Sequence, residues 1–445
     1  MRGEVITIGN ELLSGLVRDT NAPFIAERLF SLGIETHQIT TVGDDESQIV
    51  DSLKAALSRA DLVVVTGGLG PTPDDITSKA VAKAMGLRLV LSPEALAQIE
   101  AKFKKRGIKL GPGAERQALI PAGSEIITNP VGTAPGCHIL QDEKHVFVLP
   151  GVPQEMEVMM DQGVLTIIAE GTKRESFVAK KVLKVFGLTE SQVYERIKGI
   201  SYDGDKIKVG FLPVFPENHV TITAGSTESM ERAVELVEGV EKKMRAELGD
   251  RIFGEDEETL DMVVSGMLIT GGLTVAVSES CTGGLLSKRL TDVPGSSAYF
   301  KTGIVSYSNE AKSSLIGVDP HLISTKGAVS SDAAEAMALG VKRSAKTDIG
   351  VSITGIAGPS GGTEEKPVGT VFIGMAYDDN RGAGRIGSEI VVSQGYRFTG
   401  DRGRIRLISS EMALEWLRRY LLGEKVSGVG ERWSRWIVSG TGNDG

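Results

Sequence analysis

Leu273-Thr274-Val275-Ala276-Val277-Ser278-Glu279-Ser280-Cys281-Thr282-Gly283-Gly284 passes from an apolar run through two serines to a pair of glycines. The run Leu273 to Val277 reads as a buried strand, and the periodic segment Leu285 to Leu290 reads as the helix that follows it. A serine at such an elbow projects its hydroxyl from the end of a sheet. The backbone N–H groups after it are free to bind an oxyanion or a phosphate. A serine hydroxyl is a weak nucleophile and needs a base. The only histidine in this half, His321, follows Asp319-Pro320, where a helix start or turn is expected, which keeps it from the sheet end. Tyr307-Ser308-Asn309-Glu310-Ala311-Lys312 offers a lysine, and Lys312 is the more economical base. Strand–Ser–Gly–Gly–helix is also a common structural turn, and on local pattern alone that reading is the more frequent one.

Outward from this elbow, strand and helix patterns alternate through the last part of the chain, closing with a helix over roughly 401–422. The N-terminal part alternates too. Residues 4–9 read as a strand, and Asp19-Thr20 caps a helix to Leu32. Glu46–Ser58 reads as a helix, Asp61–Thr66 as a continuous apolar strand, Asp74–Met85 and Pro93–Arg106 as helices, and His145–Leu149 as a strand. Such alternation predicts an α/β fold for both ends. Between them lies a small α+β unit with strands at Ser176–Phe186, Lys206–Leu212 and His219–Ala224 and helices at Glu190–Lys198 and Ser229–Leu248. Gly249 to Glu258 reads as a polar, acidic link. The expected domains are 1–170, 171–252 and 253–424. Residues 425–445, rich in Gly and Ser and holding Trp433 and Trp436, read as a fraying tail.

The first domain carries Gly67-Gly68-Leu69-Gly70-Pro71-Thr72-Pro73-Asp74-Asp75 after its apolar strand. Glycines let backbone approach a ligand closely, and the following helix start favours phosphate. Two adjacent aspartates would repel a bare pyrophosphate unless a divalent cation bridges protein and phosphate oxygens. Glu11, Asp19 and Asp44 fall where a parallel sheet presents its carboxyl ends. The plainer alternative makes Asp19 and Asp74 simple helix caps.

At 445 residues the chain is long enough for two or three domains, and its 41% hydrophobic and 24% charged content is that of a soluble globular protein. No apolar run reaches the length of a membrane span, and the N-terminus lacks the pattern of a signal peptide. Cys137 and Cys281 make neither a disulfide framework nor a zinc site, so a cytoplasmic location is expected and any metal would have oxygen ligands. The net charge of −9 argues against nucleic acid as a partner. The basic clusters Lys102, Lys104, Lys105, Arg106 and Arg402, Arg404, Arg406 read as solvated helix faces or as phosphate clamps for a small ligand.

Longer motifs add a resemblance. SESCTGG at 278–284, PGSSAYF at 294–300, VSYSNEAK at 305–312, GAVS at 327–330, SITGIAGPSGG at 352–362 and EEKPVGTV at 364–371 resemble the C-terminal domain of CinA proteins, which also occurs alone as the nicotinamide mononucleotide deamidase PncC. The resemblance implies a Ser/Lys amidohydrolase with Ser280 as nucleophile, Lys312 as base and Tyr307 beside them. It further implies that Thr282, Gly283, Gly284, Ser297, Asn309, Gly355, Gly358, Gly361 and Arg402 contact the substrate, with the glycines after Ser280 giving backbone donors.

GNELLSG at 9–15, DTNA at 19–22, TTVGDD at 40–45, TGGLGPTPDDIT at 66–77, NPVGTAPG at 129–136 and LPGVPQEM at 149–156 resemble the N-terminal domain of CinA, similar in fold to the molybdopterin-binding proteins MogA and MoaB. Here the resemblance implies a metal-dependent ADP-ribose pyrophosphatase. Gly67, Gly68 and Gly70 would hold the substrate, and Asp75, Asp44, Glu11 and Asp19 would hold magnesium, manganese or cobalt. Asn10 departs from the threonine common in relatives. A homodimer is implied as well. The alternatives are a first domain that binds molybdopterin or a related nucleotide, and a non-enzymatic factor in competence or DNA damage.

Overall fold

The computed structural model describes residues 1–107, 113–171, 177–378 and 389–424. The expected tail with Trp433 and Trp436 lies outside the described residues. The fold is α/β at both ends with a smaller unit between, as the alternating patterns require. The chain separates into two compact units: Met1–Lys180 with Asp203–Lys208 and Thr223–Gly239, and Lys181–Tyr202 with Val209–Ile222 and Val240–Gly445. Among the described residues, no helix is long and apolar enough to cross a membrane.

In the first unit a six-stranded sheet runs in the order Glu35–Val42, Arg2–Ile8, Leu62–Thr66, Lys144–Leu149, Gly136–Gln141, Glu125–Ile127. The first four strands are parallel, and the last two pair antiparallel. Alternate side chains feed two cores. Ile6, Ile8, Val63 and Val65 enter one, and Val5, Leu62 and Val64 enter the other. Burial on both faces explains why Leu62–Thr66 is apolar throughout rather than alternating. The ends of these parallel strands, at Ile8, Val42, Thr66 and Leu149, share one edge.

The helix expected from Asp74 begins only at Thr77. The Asp75 carboxylate turns back to accept from the Thr72 N–H at 2.7 Å and the Thr72 hydroxyl at 2.5 Å, which folds residues 72–75 into a turn instead. Asp74 is therefore no helix cap. Asp19 is one: its carboxylate accepts from the N–H groups of Asn21 and Ala22, both at 3.0 Å.

The small unit is a four-stranded sheet ordered Ile207–Val214, Glu217–Ser226, Phe177–Val185, Ile252–Glu255. The stretch read as an acidic link is thus partly its fourth strand. Ile252 pairs with Val185 and Glu255 with Leu183. Lys181 meets Glu255 at 2.6 Å and Asp256 at 2.9 Å, so the acidic residues that disguised the strand are the ones that fasten it.

The last sheet has the order Phe300–Val305, Val275–Glu279, Ile349–Gly355, Thr370–Asp378, Glu389–Arg397. Its first three strands are parallel. On one face Val275, Val277 and Val351 share a core with Val264 and Leu268 of the helix Leu260–Gly271 and with Met412 and Trp416 of the helix Arg402–Leu421. Ala276 faces the other way, toward Met337 and Val341 of the helix Ser331–Ala345. Strand alternation then sends Ser278, two residues after Ala276, to that second side.

Candidate active site

The strand Val275–Glu279 ends one residue before Ser280, whose N–H donates to the Ile353 carbonyl at 2.9 Å. This bond to the neighbouring strand fixes the serine at the sheet edge. Ser308 caps the helix Asn309–Ile316 by accepting from the Ala311 N–H, and Lys312 lies in its first turns. Although the two residues are 32 apart in sequence, Lys312 Nζ stands 3.2 Å from Ser280 Oγ. The same nitrogen donates to the Ser306 carbonyl at 2.8 Å. Lys312 is 1% exposed, and burial pushes its ammonium below the usual lysine range. The water that keeps a surface lysine charged is excluded here.

Two nucleophilic side chains adjoin at this point, and their surroundings separate them. Cys281 is buried, and burial pushes its thiol up to about 12. The hydroxyl of Ser280 has the amine beside it. A cavity of about 260 Å³ opens over the pair. Ser280, Lys312, Tyr307, Asn309, Gly355, Gly358, Gly361 and Arg402 are among the residues that line it. Arg402 donates to the Gly358 carbonyl at 2.9 Å and to the Tyr307 hydroxyl at 3.2 Å, linking these two lining residues.

Four expected contacts are not brought to the cavity. Thr282, Gly283 and Gly284 do not line it. The Gly283 N–H donates to the Ser280 carbonyl at 3.1 Å, and the Gly284 N–H to Glu279 at 3.1 Å. The Thr282 carbonyl is held by Arg406, at 3.0 and 2.6 Å. The N–H groups of Gly283 and Gly284 are thus used within the elbow, the second of them by Glu279. This fully buried carboxylate also accepts from the Leu286 N–H at 3.0 Å and from the Ser287 N–H and hydroxyl at 2.7 and 2.6 Å. A carboxylate seated on the first turn of Leu285–Asp292 supplies the negative charge that a bound phosphate would otherwise bring. The two glycines are needed for shape: both have positive φ, 59° and 93°. Ser297 is exposed in a short turn before the strand Phe300–Val305, at the N-terminal edge of the sheet and so at the opposite end from Ser280. His321 sits at its helix start, its N–H on Asp319 at 2.8 Å, away from the cavity as expected.

The first unit has its own cavity, of about 490 Å³, at the carboxyl edge of its sheet. Gly67, Gly68 and Gly70 form one wall, and Glu11, Asp44 and Asp75 reach it, joined by Asp74 and Glu155. Gly67 cannot be replaced cheaply: its φ is 110°, and a Cβ there would lie 2.2 Å from the Ile8 carbonyl oxygen. Asn10 donates its N–H to Asp44 at 3.0 Å and accepts from the Asp44 N–H at 3.3 Å, so its side chain holds that acidic loop. Asp19 is absent from the cavity because its carboxylate is spent on the helix start. Among the described residues, no group of three or more His, Cys, Asp or Glu side chains is arranged to hold a metal. The all-oxygen donor set still fits a hard cation held by one or two carboxylates and completed by substrate phosphates, the usual mode for magnesium.

Three family descriptions match the chain in order: a probable molybdopterin binding domain over residues 4–170, a damage-inducible protein CinA KH domain over 180–254, and a CinA C-terminal domain over 257–421. A CinA-like protein of Geotalea uraniireducens is 46% identical over 424 residues, covering 95% of this chain and 98% of that one. Another, of Geobacter sulfurreducens, is 43% identical over 422 residues, covering 95% of this chain and 100% of that one. Among solved structures, a CinA protein of unknown function from Thermoplasma acidophilum is 42% identical, covers 38% of this chain and 98% of its own, and has a TM-score of 0.36. With nearly its whole length shared at this level of identity, the chain belongs to the CinA family.

Proposed function

We propose that the last domain is a Ser/Lys amidohydrolase that converts nicotinamide mononucleotide to nicotinate mononucleotide and ammonia. The observation that carries this reading is the buried Lys312 amine 3.2 Å from the Ser280 hydroxyl, both lining a cavity. Neutral Lys312 takes the hydroxyl proton as Ser280 Oγ attacks the carboxamide carbon. The C–N bond of the tetrahedral intermediate then breaks, and the same proton passes from the Lys312 ammonium to the departing nitrogen, which leaves as ammonia. Water attacks the resulting ester with Lys312 again as base, releasing the carboxylate and restoring Ser280. Arg402 and Tyr307 stand where they can meet the nucleotide, and residues of the Gly355–Gly361 loop line the same cavity. Ammonia release from nicotinamide mononucleotide by the full chain, compared with Ser280→Ala and Lys312→Met, tests the proposal. Each variant should lose at least about 100-fold in kcat while keeping its circular dichroism spectrum. Undiminished turnover in either would remove that residue from the mechanism.

For the first domain the reading is hydrolysis of ADP-ribose to AMP and ribose 5-phosphate. Asp75, with either Asp44 or Glu11, would hold the divalent cation together with the substrate phosphates, and the cation's chemistry would be polarisation of phosphoryl oxygens. The chain's own part is to bring the Gly67–Gly70 backbone close to the pyrophosphate. The molybdopterin binding description over residues 4–170 favours a second reading, retention of a pterin or related nucleotide without cleavage. AMP release from ADP-ribose with magnesium, set against pterin binding without it, separates the two.

A further inference from the structure

Behind the cavity, and outside its lining, lie two serines that the mechanism above does not use. Ser278 and Ser306 are both fully buried, and their hydroxyl oxygens are 3.0 Å apart. Ser278 sits on the nucleophile's own strand, two residues before Ser280, opposite Ile304 of the neighbouring strand. Ser306 follows that neighbouring strand, and its backbone makes a tight turn, its N–H donating to the Ile304 carbonyl at 3.2 Å. The carbonyl of Ser306 is the second partner of Lys312.

We propose that Ser278 and Ser306 are positioning residues for the base: their side-chain hydrogen bond fixes the Ser306 carbonyl, which holds one N–H of Lys312 so that the amine's lone pair faces Ser280 Oγ. A primary amine turns freely about its Cε–Nζ bond. It serves as a base only when the lone pair points at the proton to be taken. One anchored N–H removes most of that freedom, and a carbonyl does this without contributing a competing proton. The same carbonyl accepts from the ammonium after proton transfer, so it limits how far burial depresses the basicity of Lys312. Freeing the Ser306 peptide has two consequences. The lone pair points at Ser280 for a smaller share of the time, which lowers kcat and leaves KM alone. The ammonium loses an acceptor, so Lys312 gives up its proton at lower pH.

This inference rests on the Ser280–Lys312 reading, and its test separates the two. Ser278→Ala and Ser306→Ala each remove one oxygen from the same bond, and the double variant removes both. Each single variant should lose about 10–100-fold in kcat, and the double variant should be no worse than the poorer single, as for two ends of one interaction. In the full chain labelled at lysine, 15N NMR of the Lys312 amine should titrate about 0.5–1 pH unit lower in both singles. The acid limb of the kcat/KM profile should move by the same amount. A purely structural role predicts lowered thermal stability with an unmoved titration. An unmoved Lys312 titration, or losses that add in the double variant, would overturn the proposal. Full activity in Ser280→Ala would instead overturn the mechanism beneath it, while the Lys312 titration would still report on the two serines.

Discussion

Replacing Glu279 with glutamine asks how much of the elbow depends on a buried charge. The carboxylate receives four hydrogen bonds, two on each oxygen, from Gly284 and Leu286 on one side and from the Ser287 N–H and hydroxyl on the other. A glutamine amide keeps a single oxygen; with that oxygen toward Gly284 and Leu286, its N–H₂ group faces the Ser287 N–H, while the Ser287 hydroxyl can turn to accept. A hydrogen bond to a charged group contributes about 1.5–3 kcal/mol, and losing the one from the Ser287 N–H costs about that much. Removing the negative charge from the helix start adds about 0.3–1 kcal/mol. The sum is a large part of the roughly 5–15 kcal/mol by which a domain is stable. Urea unfolding followed by circular dichroism measures it. With a slope of about 2 kcal/mol per molar urea, the Glu279→Gln midpoint should fall by about 1–2 M. A midpoint within about 0.5 M of the parent's, at equal slope, would refute the idea that this carboxylate organises the elbow.

Ammonia release should rise with pH through a lysine pKa set below its usual value, because burial depresses Lys312 and only the neutral amine is a base; a pH–rate profile reads this directly. Stability should rise with pH across the window between that depressed value and the ordinary one near about 10.4, since the unfolded chain there binds the extra proton, and Lys312→Met should flatten the slope. Gly283→Ala should cost about 1–2 kcal/mol through its positive φ and leave the turnover of folded molecules unchanged, because a Cβ there meets only Arg406, at 3.6 Å, outside the cavity. Chelation and Asp75→Asn should each stop AMP release from ADP-ribose and spare ammonia release; loss of both activities on chelation would contradict two independent sites.

The parts of this protein legible in its sequence are those with a local signature. Apolar runs mark the parallel strands, and the Ser280 elbow and Lys312 stand in long motifs. Less legible are residues whose role depends on what lies across the fold. Glu279 looks like any acid in a string, yet it fills the helix start that the glycines were expected to offer to a ligand. Ser297 belongs to a motif of the same region, but its place before a parallel strand puts it at the wrong end of the sheet. Asp19 and Asp75 both follow closely on a glycine, and only the backbone decides that one caps a helix while the other closes a turn beside the cavity. Ile252–Glu255 is hidden because its charged flanks look like a linker until Lys181 is seen between them.

The cysteine next to Ser280 has a chemical consequence of its own. With its thiol pushed up to about 12, Cys281 stays a thiol rather than a thiolate at neutral pH. Peroxides and alkylating agents attack thiolates, so this residue offers them almost nothing, and the hydroxyl beside it has no sulfur for a peroxide to oxidise. If Ser280 is the nucleophile proposed above, the reaction depends on no thiolate that an oxidant could remove.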